Sequence, residues 1–291
     1  MDQLRALEIE TQEAVTLWPA AEVRSPLILA SPHAGRDYGP EFLAASRLDG
    51  LQLRKTEDAF VDLLFQDAPE CGVPLLCANF PRAWVDVNRD QWELDPSMFV
   101  GRMPAEVTMG GARVAAGLGA IPRVAARGAP IYQRKLLWAE GLERLELGWR
   151  PYHRALALLI EQTRERFGYC VLIDCHSMPS MNAAAEQGGL PVDFVLGDAF
   201  GTSCRPDLVA WCETEWQALG YQVRRNAPYA GGFVTRHYGK PAQGVHVMQL
   251  EMARRLYMEE ATVEPHQGFA KLRAECAGFV ESLVRFLSPE E

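Results

Sequence analysis

Three apolar runs in this chain end abruptly in a residue that can bind or serve a metal. Leu27-Ile28-Leu29-Ala30-Ser31-Pro32 leads into His33, and Val171-Leu172-Ile173-Asp174-Cys175 leads into His176. Val245-His246-Val247-Met248-Gln249-Leu250 leads into Glu251. Short apolar runs of this kind read as buried strands of an α/β sheet. Ligands in such sheets bind outside the carboxyl ends of the strands. Two histidines and a glutamate far apart in sequence can therefore meet at one crevice.

The intervening segments alternate strand and helix. Strands are expected at 26–32, 74–79, 84–87, 169–175, 192–197, 221–225 and 244–250. A helix is expected from about Thr56-Glu57-Asp58, with Phe60, Leu63 and Leu64 as its apolar stripe. Others should cover 131–167, interrupted at Pro151, then 205–219 and 267–287. In the last of these Phe269, Leu272, Cys276, Val280, Leu283 and Leu287 recur at spacings of three and four. Residues 100–128 are dense in glycine and alanine with little periodicity, and read as a loop or lid. The pattern predicts an α/β fold with a central mixed, mostly parallel sheet flanked by helices. At 291 residues, a single domain over 1–291 is the expectation.

Composition narrows the function. A formal charge of -9 argues against nucleic acid as a partner, which would need a basic face. A few local arginines can still bind an anionic small molecule. No basic-then-apolar leader opens the chain and no run is long enough to span a membrane. The seven cysteines are scattered, with no CxxC pair. A reduced, cytoplasmic setting is expected, with Cys175 a small buried hydrophobe.

Several residues carry chemistry. His33 stands in Ser-Pro-His-Ala-Gly at a strand exit. Strand alternation puts Asp174 and His176 on one side, so the carboxylate can orient the imidazole, or serve as a buried structural acid. Catalytic zinc takes three protein ligands, which calls for a third. Asp58 is the candidate, Glu57 is its rival, and a helix-capping role is the alternative for Asp58. Glu251 can serve a metal-bound water as a base, or pair with Arg254 or Arg255. Asn88-Arg89 offers an amide and a guanidinium fork that suit a carboxylate, and Arg82 can face a developing oxyanion. Structural ion pairs are the alternative for both arginines. The stretch from Asn226 to Gly239 reads as a loop, for binding or simply solvated, with Gly231 and Gly232 allowing close approach and Thr235 or Arg236 holding polar groups. Among the other histidines, His246 is read as packed and His266 as surface.

Together these stretches resemble the N-formylglutamate amidohydrolases, zinc-dependent enzymes akin to metallocarboxypeptidases and aspartoacylase. The likeness rests on Ser-Pro-His33-Ala-Gly, Glu57-Asp58-Ala-Phe-Val-Asp62, Val85-Asp86-Val-Asn88-Arg89, Pro151-Tyr-His153, Asp174-Cys-His176-Ser177 and Tyr229-Ala-Gly-Gly232 through Arg236 to Gln249-Leu-Glu251. The resemblance implies a zinc-exopeptidase-like domain holding one zinc ion on His33, Asp58 and His176. It implies Glu251 as general base and Arg82 as the oxyanion arginine. Asn88 and Arg89, with Tyr229, Gly232, Thr235 and Arg236, would hold a small N-acyl amino acid through its carboxylates. One departure is plain: Arg36 stands where a carboxypeptidase-like His-x-x-Glu would place its glutamate.

The resemblance thus implies hydrolysis of an N-formyl amino acid, first of all N-formylglutamate, without nucleic acid or membrane partners and with homo-oligomerisation left open. Its rivals are a zinc amidohydrolase or carboxypeptidase for another N-acyl amino acid or a peptidoglycan-type amide, and a zinc-bearing binding protein without turnover. A serine hydrolase and a dinucleotide enzyme are disfavoured, since G-x-S-x-G and a G-x-G-x-x-G after the first strand are both missing.

Overall fold

The computed structural model describes residues 13–107, 111–180 and 191–288. Seven strands form one mixed, mostly parallel sheet in the order β1-β3-β2-β6-β9-β7-β8. They are β1 (Val15–Trp18), β2 (Leu27–Ser31), β3 (Leu75–Ala78), β6 (Cys170–Met178), β7 (Phe194–Gly197), β8 (Val223–Arg225) and β9 (Val245–Ala253). A separate two-stranded parallel ribbon pairs β4 (Phe99–Val100) with β5 (Leu136–Leu137). β2, β6 and β9 run parallel, and β7 is antiparallel to β9. Every residue of β2 and β6 is buried, and all but His246 of β9, so these strands read as unbroken apolar runs. This is the α/β architecture expected from the sequence. The predicted 84–87 strand does not form. Pro81 starts a turn closed by Trp84 N–H donating to Pro81 O at 2.9 Å, and the Asp86 amide donates to Ala120 O at 2.7 Å.

The helices are α1 (Pro40–Ala45), α2 (Gly50–Arg54), α3 (Val61–Leu64), α4 (Ala112–Ala115), α5 (Trp138–Arg144), α6 (Arg150–Phe167), α7 (Pro206–Ala218), α8 (Phe233–Tyr238) and α9 (Gly268–Leu287). Two expectations shift. The helix placed from Thr56 begins at Val61, after Phe60 with φ 66°, so Asp58 lies ahead of the helix, two residues before its N-cap. The segment 131–167 is not one helix broken at Pro151. It opens with β5, and a π-helical turn at Leu145–Trp149 separates α5 from α6. Pro151 follows directly on that π-helical turn, in the first turn of α6.

Among the described residues, packing divides the chain into two compact units: one within 13–16, 32–59 and 77–155, the other within 17–31, 60–76 and 156–288. In the second unit, α9 buries Leu272, Cys276, Phe279, Val280, Leu283 and Leu287. Each buried leucine contributes about 1.5–3 kcal/mol. Trp216 of α7 stacks on Phe194 and Phe279 with centroids at 4.1 and 4.7 Å. In the first unit, Arg144 is buried with its guanidinium 5.1 Å from the Tyr132 ring and donating to Trp84 O at 3.3 Å. Among the described residues, no helix is long and apolar enough to cross a membrane.

Candidate metal centre

Strand alternation and register build half of the site. On β6, Asp174 and His176 share a face, and on β9 so do Gln249 and Glu251. The parallel register sets Asp174 beside Gln249 and His176 beside Glu251. His176 Nε2 lies 2.9 Å from Asp174 Oδ2, and Gln249 Nε2 donates to Glu251 Oε1 at 2.7 Å. The side chains are buried.

His33 follows the end of β2 by two residues. Gly35, two residues further on, is required by proximity rather than by a turn: a Cβ there would stand 2.2 Å from Phe80 O. His33 O accepts from the Asp58 amide at 3.1 Å, which brings the Asp58 side chain to the imidazole. His33 Nδ1 lies 3.2 Å from Asp58 Oδ2, and Nε2 lies 2.8 Å from Asp86 Oδ1. Asp86 also accepts from Arg82 Nη2 at 2.7 Å and from the Asn88 amide at 2.9 Å. Arg82 Nη1 is 3.8 Å from Asp58 Oδ1. Burial works to raise the Asp86 carboxyl, but Arg82, His33 and Arg89 together hold it well below the usual carboxylate range.

One ligand atom from each of His33, Asp58 and His176 lies within 4.8 Å of the others. The 3.2 Å between His33 Nδ1 and Asp58 Oδ2 is close to the roughly 3.4 Å between neighbouring ligands of a tetrahedral zinc ion. None of the three side chains is more than 2% exposed, and Asp86 and Asp174 are buried with them. Such a concentration of buried carboxylate around two imidazoles suits a cation. Each histidine has one ring nitrogen on a carboxylate, Asp86 or Asp174, and presents Nδ1 as its other donor. The residues therefore fit a divalent ion of zinc type. Glu57 is turned elsewhere, accepting from Tyr38 Oη at 2.7 Å and from Arg54 Nε at 3.3 Å.

The expected substrate residues are unequal. Arg89 is held by donation from Nη1 to Asn88 O at 2.7 Å and from Nε to Leu118 O at 3.1 Å. Trp149 Nε1 donates to Arg89 O at 2.9 Å, which anchors the backbone of the pair. Tyr229 is half-buried against Met178, Val192, Val195 and Ala253, and Gly232 N–H donates to Gln249 Oε1 at 2.9 Å. Arg236 is exposed on α8. Thr235 is fully buried under Gly231, where a Cβ would meet its side chain at 2.7–2.9 Å.

The sequence reading missed Asp86 and Gln249. Asp86 lies 53 residues from His33, and no local pattern links the two. Gln249 could have been found, because it stands two residues before Glu251 just as Asp174 stands two before His176. His153 is buried with Nε2 2.8 Å from Val87 O and its ring on Trp149. His246 is half-buried and His266 exposed.

The family model for N-formylglutamate amidohydrolase matches residues 25–258. The chain is 34% identical over 245 residues to an N-formylglutamate deformylase of Pseudomonas putida, covering 81% of this chain and 83% of that one. It is 33% identical over 267 residues to one of Pseudomonas aeruginosa, covering 91% of each. The crystal structure of N-formylglutamate amidohydrolase from Ralstonia eutropha JMP134 is similar at a TM-score of 0.89 and 35% identity, over 94% of this chain and 98% of that one. A protein of Agrobacterium tumefaciens, 18% identical over 94% of each chain, shares the fold at a TM-score of 0.66.

Proposed function

The chain belongs to the N-formylglutamate amidohydrolase family, and we propose that it hydrolyses N-formyl-L-glutamate to formate and glutamate with one zinc ion on His33, Asp58 and His176. The observation that carries this reading is the gathering of those three ligands, with Glu251 in register beside His176. The family model runs unbroken across 25–258, which supports reading the chain as one catalytic domain.

Zinc, when bound, lowers the pKa of water toward ~7 and polarises an acyl carbonyl. The chain's own residues do the rest. Glu251 takes a proton from the attacking water and delivers it to the nitrogen as the formyl C–N bond breaks. Arg82, tethered through Asp86, offers a fixed guanidinium to the oxyanion. Asn88 and Arg89 hold a carboxylate of the substrate, and the backbone at Tyr229–Gly232, with Arg236 at its rim, closes on the rest. Buried Asp86 and Asp174 keep the two imidazoles aimed.

A panel of N-formyl, N-acetyl and N-succinyl glutamate, N-formyl-aspartate and simple dipeptides, assayed with and without chelator, tests this. Chelator-sensitive release of formate should be fastest from N-formylglutamate. No chelator-sensitive hydrolysis of any member would leave a binding protein. Glu251→Gln should lower turnover by at least ~10²-fold with zinc still bound.

A further inference from the structure

Gln249 has no role in the chemistry set out above, yet it is buried in the middle of the sheet beside Asp174. Both ends of its amide are used. Its carbonyl oxygen accepts from Gly232 N–H at 2.9 Å, and its NH2 donates to Glu251 Oε1 at 2.7 Å. The two partners leave no choice of orientation. A backbone N–H can only donate, so the amide is set with its oxygen to the loop and its nitrogen to the acid.

β6 repeats the arrangement. There Asp174 holds His176 two residues further along the strand at 2.9 Å, as Gln249 holds Glu251 on β9. Each functional side chain of this patch is thus fixed by the residue below it on its own strand. The β9 version adds a second contact, to the backbone that leads into α8. Gly197 lets that backbone lie close to β7, since a Cβ there would meet Gly231 N at 2.8 Å.

We infer that Gln249 is a positioning residue that couples the substrate loop at Tyr229–Gly232 to the carboxylate of Glu251. With Oε1 held by the amide, rotation about the last bond of Glu251 is fixed and its second oxygen has one direction. Movement of the loop is transmitted to the acid through two hydrogen bonds. The inference rests on Glu251 being the base.

Substitution can separate the two ends. Gln249→Glu keeps an acceptor for Gly232 N–H but sets a like charge on Glu251. It should lower kcat by about 10–100-fold, the cost of a misplaced catalytic group, with KM near that of the native protein. Gln249→Met removes both contacts and should lower kcat and raise KM. In the Glu251→Gln background, Gln249→Glu should change kcat by less than ~2-fold, because the group it acts through is already disabled. Zinc content and unfolding midpoint, measured on each variant, show that fold and ion are kept. Should Gln249→Glu misfold, Gln249→Met in the same double cycle takes its place. Native kcat in both Gln249 variants, or a loss in the Glu251→Gln background as large as in the native one, overturns the positioning role alone. Native turnover by Glu251→Gln overturns the base reading and the positioning role with it.

Discussion

At the residue scale, each of the two histidines has one ring nitrogen on a buried carboxylate, His33 on Asp86 and His176 on Asp174. Asp174 and His176 stand two apart on a strand, so alternation alone predicts that they face the same way. Asp86 serves His33 in the same manner from a turn 53 residues away. Asp86→Asn is expected to keep the fold and to lower zinc affinity by about 10–100-fold. Competition with a fluorescent chelator measures this, and native affinity would show that Asp86 does not hold the ring. The choice between Glu57 and Asp58 was also beyond the sequence, because adjacent acids look alike until the backbone turns them apart. Asp58 follows its amide to His33 O, whereas Glu57 goes to Tyr38 and Arg54.

Among the elements, boundaries follow turn chemistry more closely than apolar content. The stretch Trp84–Val87 has the composition of a strand, but Pro81 opens a turn and the Asp86 amide is drawn to Ala120 O. That departure from regular structure is what brings Asp86 to His33. Gly35 makes a sharper case. Gly35→Ala would drive a methyl into the backbone at Ala78–Phe80, which carries no flexible atom to move aside. We expect a loss of about 1–3 kcal/mol in the urea unfolding free energy together with reduced zinc content, since His33 stands two residues away. An alanine variant with native stability and full zinc would show that the His33 loop tolerates displacement. On β7, Gly197→Ala should raise KM, measured on N-formylglutamate, because it displaces the backbone at Tyr229–Gly231. Unchanged KM would separate that loop from substrate binding.

For the molecule as a whole, stability and metal should be linked. A ligand that binds only the folded state stabilises it by about 2.7 kcal/mol at 100 times its dissociation constant. The thermal transition of metal-stripped protein should therefore rise with zinc concentration. A variant lacking ligands, such as His33→Ala with His176→Ala, should lose that rise. Calorimetry across a zinc titration measures both, and a transition indifferent to zinc would count against a resident ion.

Some of this protein could be known from its sequence because the relevant physics is local. Apolar runs of strand length, ended by polar residues, specify buried parallel strands wherever they fall, and helical spacing in Gly268–Leu287 specifies a face to bury. The same local rules marked His33, His176 and Glu251 as strand-end residues, which holds for His33, whereas β6 and β9 each run two residues past His176 and Glu251. Tertiary structure decided which partners these residues met. It set Asp86 against His33, turned Glu57 away from Asp58, buried Thr235 under Gly231, and gave Gln249 contacts to both Gly232 and Glu251. Such choices depend on hydrogen-bond donors and acceptors that packing brings together from distant parts of the chain, and spacing along the sequence carries no record of them.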